Sequence, residues 1–422
     1  MSGFPRFLLV YFILGALAGC TDRQHRNPLD PLTTSPAGEF SGLVAVAGDG
    51  EIVLRWDYSH FDDVEGYRLY RRVEGQGLVA HPPESLPPAA TRWVDAAVEN
   101  GTTYEYRLAL LVRGEGEHLL EDVRRATPGE QVCWVGDAFT GIVWQISPDG
   151  RTEHFGRGRF ADLAGMALYL ADGSCWVSDP RSWGLGRIRA DGELEPRVAA
   201  LGAPAALSID SEHGIGWVVD REHREVAWFS VAAATDTLSL ARVDAHFVQP
   251  DGVSARDDHC WIADRGAGRV LLVARDGQRR VEFSGLPQPG PIAAASADVA
   301  WLLLGNGDRL VRLDAARGRV DEVALPFAAP VRALDVAVES QACWVLGDGD
   351  LAVFGPDGML LEHSTVAGLP SGRRGLALDE AHRQVWIGAP SVLCKYSMDG
   401  ELLAKLEGFS KPSLVLVDAG AF

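Results

Sequence analysis

Cys260-Trp261-Ile262-Ala263-Asp264-Arg265-Gly266-Ala267-Gly268-Arg269-Val270 is the stretch that decides the fold of this chain. A short apolar run built around a tryptophan ends in aspartate. A glycine-rich turn follows, and then a second apolar run begins, which is the pattern of two short strands joined by a tight turn. The same unit recurs at Cys133-Trp134-Val135, Cys175-Trp176-Val177, Gly216-Trp217-Val218, Ala300-Trp301-Leu302, Cys343-Trp344-Val345 and Val385-Trp386-Ile387. Successive tryptophans lie 42, 41, 44, 40, 43 and 42 residues apart. Seven of the chain's 12 tryptophans keep this spacing. A period of about 40–45 residues with several short strands in each repeat predicts the blades of a β-propeller.

Each repeat follows one grammar. An apolar strand such as Gly375–Asp379 comes first, the Trp strand second, and a third strand ends in Asp-Gly, as at Asp149-Gly150, Asp191-Gly192, Asp276-Gly277, Asp357-Gly358 and Asp399-Gly400. Asp-Gly between apolar runs predicts a two-residue hairpin. A fourth strand such as 402–406 completes the unit. The first repeat opens at its Trp strand and lacks an inner strand, while the C-terminus carries a spare one, Pro412–Asp418. The expectation is a seven-bladed ring closed by that strand, since closure removes exposed sheet edges.

The fourth repeat, with Asp264-Arg265 and Gly268-Arg269-Val270, resembles an NHL repeat, and so does the third, with Asp220-Arg221 and Arg224-Glu225-Val226. The fifth to seventh repeats lack that aspartate. The expected propeller occupies residues 129–422.

Ahead of it, residues 37–128 hold six or seven short alternating runs, which predicts a small two-sheet sandwich. Trp56, Gly66-Tyr67-Arg68-Leu69-Tyr70 and Gly101-Thr102-Thr103-Tyr104-Glu105-Tyr106 resemble, in order, segments of a fibronectin type III domain. That resemblance implies a core role for Trp56 and a tyrosine-corner hydroxyl at Tyr104. The whole chain is therefore expected to be all-β.

At the N-terminus Arg6 precedes an apolar run from Phe7 to Ala18. That run is too short to cross a hydrocarbon core of about 30 Å as a helix and fits the apolar region of a secretory signal. Leu17-Ala18-Gly19-Cys20 resembles the bacterial lipoprotein cleavage box. The resemblance implies removal of residues 1–19 and acylation of Cys20, a covalent lipid being the only cofactor expected. Two or three acyl chains anchor stably where one does not. Residues 20–36 read as a tether to a bacterial envelope membrane. Asp22 lies one place beyond the position linked to inner-membrane retention in enterobacterial lipoproteins, which leans towards the outer membrane.

Of 422 residues, 39 are Lys or Arg and 58 are Asp or Glu, a net charge of −19. Phosphate binding needs clustered Lys and Arg, so a general nucleic-acid binder is not expected. No P-loop, nucleophile-elbow or zinc-protease spacing occurs. Cys133, Cys175, Cys260 and Cys343 share one position before their Trp and read as small buried hydrophobes. Asp137, Asp179, Asp220 and Asp264 share another; turn capping is the expected role, with an acidic cluster for a cation or a basic partner as the alternative. His213, His259 and His382 fall in turns on the opposite rim.

The face fed by connections from each fourth strand to the next first strand carries Arg157, Arg159, Asp251, Arg332, Arg373, Arg374 and Lys411, and the neighbouring hairpins add Phe139, Trp183, Arg221 and Arg265. Arginine with aromatics suits a partner-binding surface. The candidate binding residues are Trp183, Arg221, Asp251, Arg265, Arg332, Arg373 and Arg374, for an envelope protein or an extracellular glycan or peptide. A non-enzymatic binding or scaffold role is the expectation. The alternative is a calcium-dependent lactonase-like hydrolase, for which Asp251 and Asp335 alone would not make a cage of six to eight oxygens.

Overall fold

The computed structural model describes residues 42–418 except 48–49, 57, 59–60, 74, 127, 130–131, 147–151, 156–159, 182–183, 191, 198–199, 233–236, 329, 367–368, 371, 373, 381–382 and 399. The signal, Cys20 and tether lie outside these residues, as do Arg157, Arg159, Trp183, Arg373 and His382. The described residues form strands and turns throughout, and no helix among them is long and apolar enough to cross a membrane.

The chain begins with β1 (Val44–Ala47), β2 (Ile52–Arg55), β3 (Val64–Val73), β4 (Val79–Ala80), β5 (Arg92–Asp95), β6 (Tyr104–Val112), β7 (Gly116–Leu119) and β8 (Arg124–Ala126). One sheet has the order β1-β2-β5; the other runs β4-β3-β6-β7, with β8 also paired to β6. Alternation along β2, β3 and β6 turns Ile52, Leu54, Tyr67, Leu69, Tyr106 and Leu108 into one shared core. Trp56 packs edge-on against Tyr67 in it, 5.4 Å between ring centres. The Tyr104 hydroxyl accepts the Glu99 N–H at 2.9 Å. A buried Asp95 carboxylate ties the two sheets, accepting from Arg71 at 2.7 Å and from the Tyr106 hydroxyl at 2.8 Å.

Seven four-stranded antiparallel sheets follow. Their inner strands are Pro412–Asp418 in blade 1, then Gly165–Tyr169, Pro204–Asp210, Pro250–Arg256, Pro289–Ala294, Ala333–Val336 and Gly375–Asp379 in blades 2 to 7. Pro412–Asp418 pairs with the first Trp strand, Val132–Asp137, with Leu416 opposite Trp134. Each inner strand lies beside that of the next blade, and Pro412–Asp418 lies beside those of blades 2 and 7, so the ring is closed.

The repeating tryptophans fill the spaces between blades and are buried. Trp176 meets Phe229 of blade 3 at 5.3 Å, and Trp301 meets Phe354 of blade 6 at 6.1 Å. A second periodic contact ties the inner strands together. The residue opposite each Trp is Ser208 in blade 3, Ser254 in blade 4 and Asp335 in blade 6. Their side chains accept N–H groups of the following blade: Ala255 on Ser208 at 2.9 Å, Ala294 on Ser254 at 2.9 Å, and Leu378 on Asp335 at 3.3 Å. The five described cysteines are free and buried, and burial pushes the thiols of Cys133, Cys175, Cys260 and Cys343 well up.

The Asp-Gly turns differ from the two-residue hairpins expected. At 276–277 and 357–358 only the glycine has positive φ, 78° and 88°, and the register shifts beside each turn. The aspartate instead accepts the N–H of the residue after the glycine, Gln278 at 2.9 Å and Met359 at 3.0 Å. The carboxylate holds a longer turn that the glycine closes, so the mirror-image backbone of a two-residue loop is not needed.

The sandwich is not free of the propeller. Val53 and Val94, on the side of β2 and β5 turned away from the sandwich core, belong to an apolar cluster with Trp134, Phe160, Leu163 and Leu194 of blades 1 and 2.

Candidate functional site

Loops from fourth to first strands and from second to third strands emerge on one face, which forms the mouth of the ring. The aspartates that end four Trp strands build its foundation. Asp137, Asp179, Asp220 and Asp264 are buried. Asp137 accepts the N–H groups of Phe139, Thr140, Ser410 and Lys411 at 2.6–3.1 Å. Asp220 accepts from Gly202 at 2.7 Å and Ala203 at 3.0 Å, and its Oδ2 lies 2.7 Å from His223 Nδ1. Burial works against its charge, but these donors outweigh it and hold the carboxyl below its ordinary range, while the bond raises the pKa of His223. Asp264 accepts from Val248 and Gln249 and meets Arg269 at 3.3 Å. Each therefore joins its own hairpin to the incoming connection. The alternative of an exposed acidic cluster fails because the oxygens are consumed by backbone donors.

The rim of the channel follows from register. Three residues before the position opposite the Trp stand Ala164, Ala205, Asp251, Gly290, Arg332, Arg374 and Ser413 in blades 2, 3, 4, 5, 6, 7 and 1. Charge at this level is confined to blades 4, 6 and 7, and the other positions are small.

The structure joins three of the candidates directly. Arg221 donates to Asp251 at 3.0 Å, and Arg265 approaches the other oxygen of Asp251 at 3.7 Å. Arg265 also donates to Asn306 and reaches the side-chain Oε1 of Gln288 at 3.5 Å. Gln288 and Asn306 hold φ of 48° and 63°, a left-handed backbone that side chains other than glycine seldom adopt. The set spans blades 3, 4 and 5. The side chains of Arg221, Arg265 and Asp251 are 55%, 27% and 24% exposed.

The other two described candidates form a separate group. Arg332 clamps Asp348 through both oxygens at 2.9 and 2.8 Å. That pairing lowers the Asp348 carboxyl and raises Arg332. Arg374 departs from the expectation of an exposed rim arginine, since its side chain is 0% exposed. It donates to the carbonyls of Gly347 at 3.0 Å, Asp348 at 2.8 Å and Pro370 at 3.0 Å, and burial lowers its pKa. Blade 6 lacks the capping aspartate, having Gly347 in its place, and Arg374 gathers these carbonyls there.

Gln288, Asn306 and Asp348 were not singled out from sequence. Their signal was positional, since Gln288 and Asn306 fill the blade 5 counterparts of the loops that carry Asp251 and Arg265. Among the described residues no group of three or more His, Cys, Asp or Glu side chains could hold a metal ion. Asp251 and Asp335 occupy different levels of their strands and do not form one site. His213, in a turn of the opposite rim, has Nδ1 2.9 Å from Asp210; His259, expected in a turn, instead opens the Trp strand His259–Asp264, with Nδ1 2.7 Å from the Asp257 carbonyl in the turn before it.

No family model matches the chain, and no curated protein matches it. Among solved structures, a functionally unknown protein from Desulfotomaculum acetoxidans aligns at 14% identity over 69% of this chain and 99% of its own, TM-score 0.54. Virginiamycin B lyase from Staphylococcus aureus aligns at 16% identity over 60% of this chain and 86% of its own, TM-score 0.51. A proposed 6-phosphogluconolactonase from Bacteroides uniformis aligns at 12% identity over 68% of this chain and 99% of its own, TM-score 0.51. At these identities the likeness is one of fold, and the fold is a β-propeller.

Proposed function

We propose that this chain is a lipid-anchored envelope protein whose propeller mouth binds a partner through Arg221, Asp251, Arg265, Gln288 and Asn306. The observation that carries the reading is the convergence of two part-exposed guanidinium groups and one carboxylate from adjacent blades, backed by two amide side chains on left-handed backbone. Such a set offers planar donors and acceptors side by side, which suits carboxylate, amide or hydroxyl groups of a peptide or glycan. Residues in sparsely populated conformations cluster at ligand clamps. The acylated Cys20, an outer-membrane location and an envelope protein or extracellular glycan or peptide as partner are parts of the same proposal.

The strand order β1-β2-β5 facing β4-β3-β6-β7, together with the Tyr104 hydroxyl bond, supports a fibronectin type III-like module between anchor and propeller. A lactonase-like hydrolase is the alternative, and stoichiometric calcium retained by the purified chain would favour it.

The test is crosslinking in the native envelope, comparing wild type with Arg221→Ala/Arg265→Ala. A crosslinked species lost in the variant supports the mouth as the binding face. An unchanged crosslinking pattern removes these residues from the function.

A further inference from the structure

The face opposite the mouth carries an apolar patch that none of the roles above uses. Turns between first and second strands and between third and fourth strands emerge there. Blades 5, 6 and 7 expose Val320, Leu360 and Leu402 at one register position of their outer strands. Met359 and Leu361 flank the middle one and are 66% and 64% exposed, and Val338, in the first turn of blade 6, is 68% exposed. Leu403 adds a further exposed leucine on blade 7. Scattered surface leucines need no explanation, but apolar residues repeated at one level on three consecutive blades mark a contact surface.

Blade 2 shows what this position does when covered. Its counterpart is Leu194, opposite Ile188. Leu194 packs in the cluster that contains Val53 and Val94 of the sandwich. This level is therefore packed at blade 2, in a cluster the sandwich shares, and bare at blades 5 to 7. Blade 4 has Arg279 there instead.

We propose that the blade 5–7 rim rests on the bilayer that holds the acyl chains of Cys20, an inference that depends on the anchor proposed above. Gly42, the first described residue, stands only 22 residues on from Cys20. A segment of that length reaches at most about 75 Å and, as a coil, about 25 Å on average. A propeller so tethered stays within its own dimensions of the lipid, where a weak apolar surface is engaged by effective concentration alone. With a net charge of −19 the chain is not drawn to anionic headgroups, so the contact is apolar and independent of salt. Bordering charges are partly neutralised in pairs, Lys405 with Glu407 at 2.8 Å and Arg319 with Asp321 at 2.7 Å, which lowers the cost of approaching the interface. Contact on this face leaves the mouth pointing away from the membrane.

The test uses the full acylated chain in vesicles of phosphatidylethanolamine and phosphatidylglycerol. An environment-sensitive dye is placed at Met359→Cys, with Phe139→Cys on the mouth side as control; the described native cysteines are buried and spared. The expected result is a blue-shifted Met359 dye, quenched at least twofold by brominated lipid in both low and high salt, with the Phe139 dye unaffected. Changing Leu360, Leu361, Leu402 and Leu403 together to serine should abolish the quenching while the chain still floats with the vesicles. A chain that floats with an aqueous Met359 dye overturns the docking and spares the anchor. A chain that fails to float overturns the anchor and this inference with it. A dye shifted without vesicles, accompanied by dimers in light scattering, assigns the patch to a second copy and overturns the membrane contact.

Discussion

Replacing Asp335 by serine should stabilise the protein at neutral pH. Blades 3 and 4 use Ser208 and Ser254 to bind the next inner strand, and blade 6 uses a carboxylate for the same bond. Burial raises the Asp335 carboxyl from 3.8 to about 6, against the N–H groups of Val336 and Leu378 and the charge of Arg256. A raised carboxylate binds its proton more tightly in the folded chain than in the unfolded one. Its contribution is therefore most favourable below the unfolded value, declines as pH rises from about 4 to about 6, and is unfavourable above that. The difference between the two values corresponds to about 3 kcal/mol at most. Asp335 is only part-buried, so about 1–3 kcal/mol is expected in practice. Serine keeps an acceptor for Leu378 and has no charge to desolvate. Denaturant melts at pH 4.5 and pH 7.5 measure the effect. Asp335→Ser should raise stability at pH 7.5 by that amount and flatten the difference between the two conditions. A variant less stable at pH 7.5, or one with the wild-type pH dependence, would show that the Asp335 carboxylate carries no desolvation cost.

Deleting residues 411–422 removes the strand that closes blade 1 and should cost several kcal/mol, read as a lower melting temperature and increased aggregation. Arg374→Ala should cost about 3 kcal/mol by leaving three carbonyls without their buried donor, whereas Arg221→Ala, which breaks an exposed ion pair, should stay within about 0.5 kcal/mol; paired urea titrations separate them. Val53→Asp places a charge between sandwich and propeller and should split a single thermal transition into two, as seen by calorimetry.

The propeller was legible because one large side chain per blade fills the same inter-blade space, so a single tryptophan spacing reports the whole architecture. The closing strand was legible because the first repeat lacked a partner that the C-terminus could supply. The mouth was less so. Arg332 and Arg374 occupy the same register position, yet one clamps Asp348 in solvent and the other is buried among carbonyls. The difference comes from Gly347 replacing an aspartate in blade 6 and from loops whose paths no periodicity encodes. Asp137 likewise has partners at Ser410 and Lys411, more than 270 residues away, which become visible only when the ring is closed.

Binding at the propeller mouth is read out by a photoreactive amino acid placed at Arg265 and, separately, at Glu339 on the opposite rim. Under illumination of intact cells, a discrete adduct is expected from the Arg265 position and none of the same mass from Glu339. The same adduct from both positions, or a protein or glycan adduct from Glu339 alone, would place the binding face elsewhere.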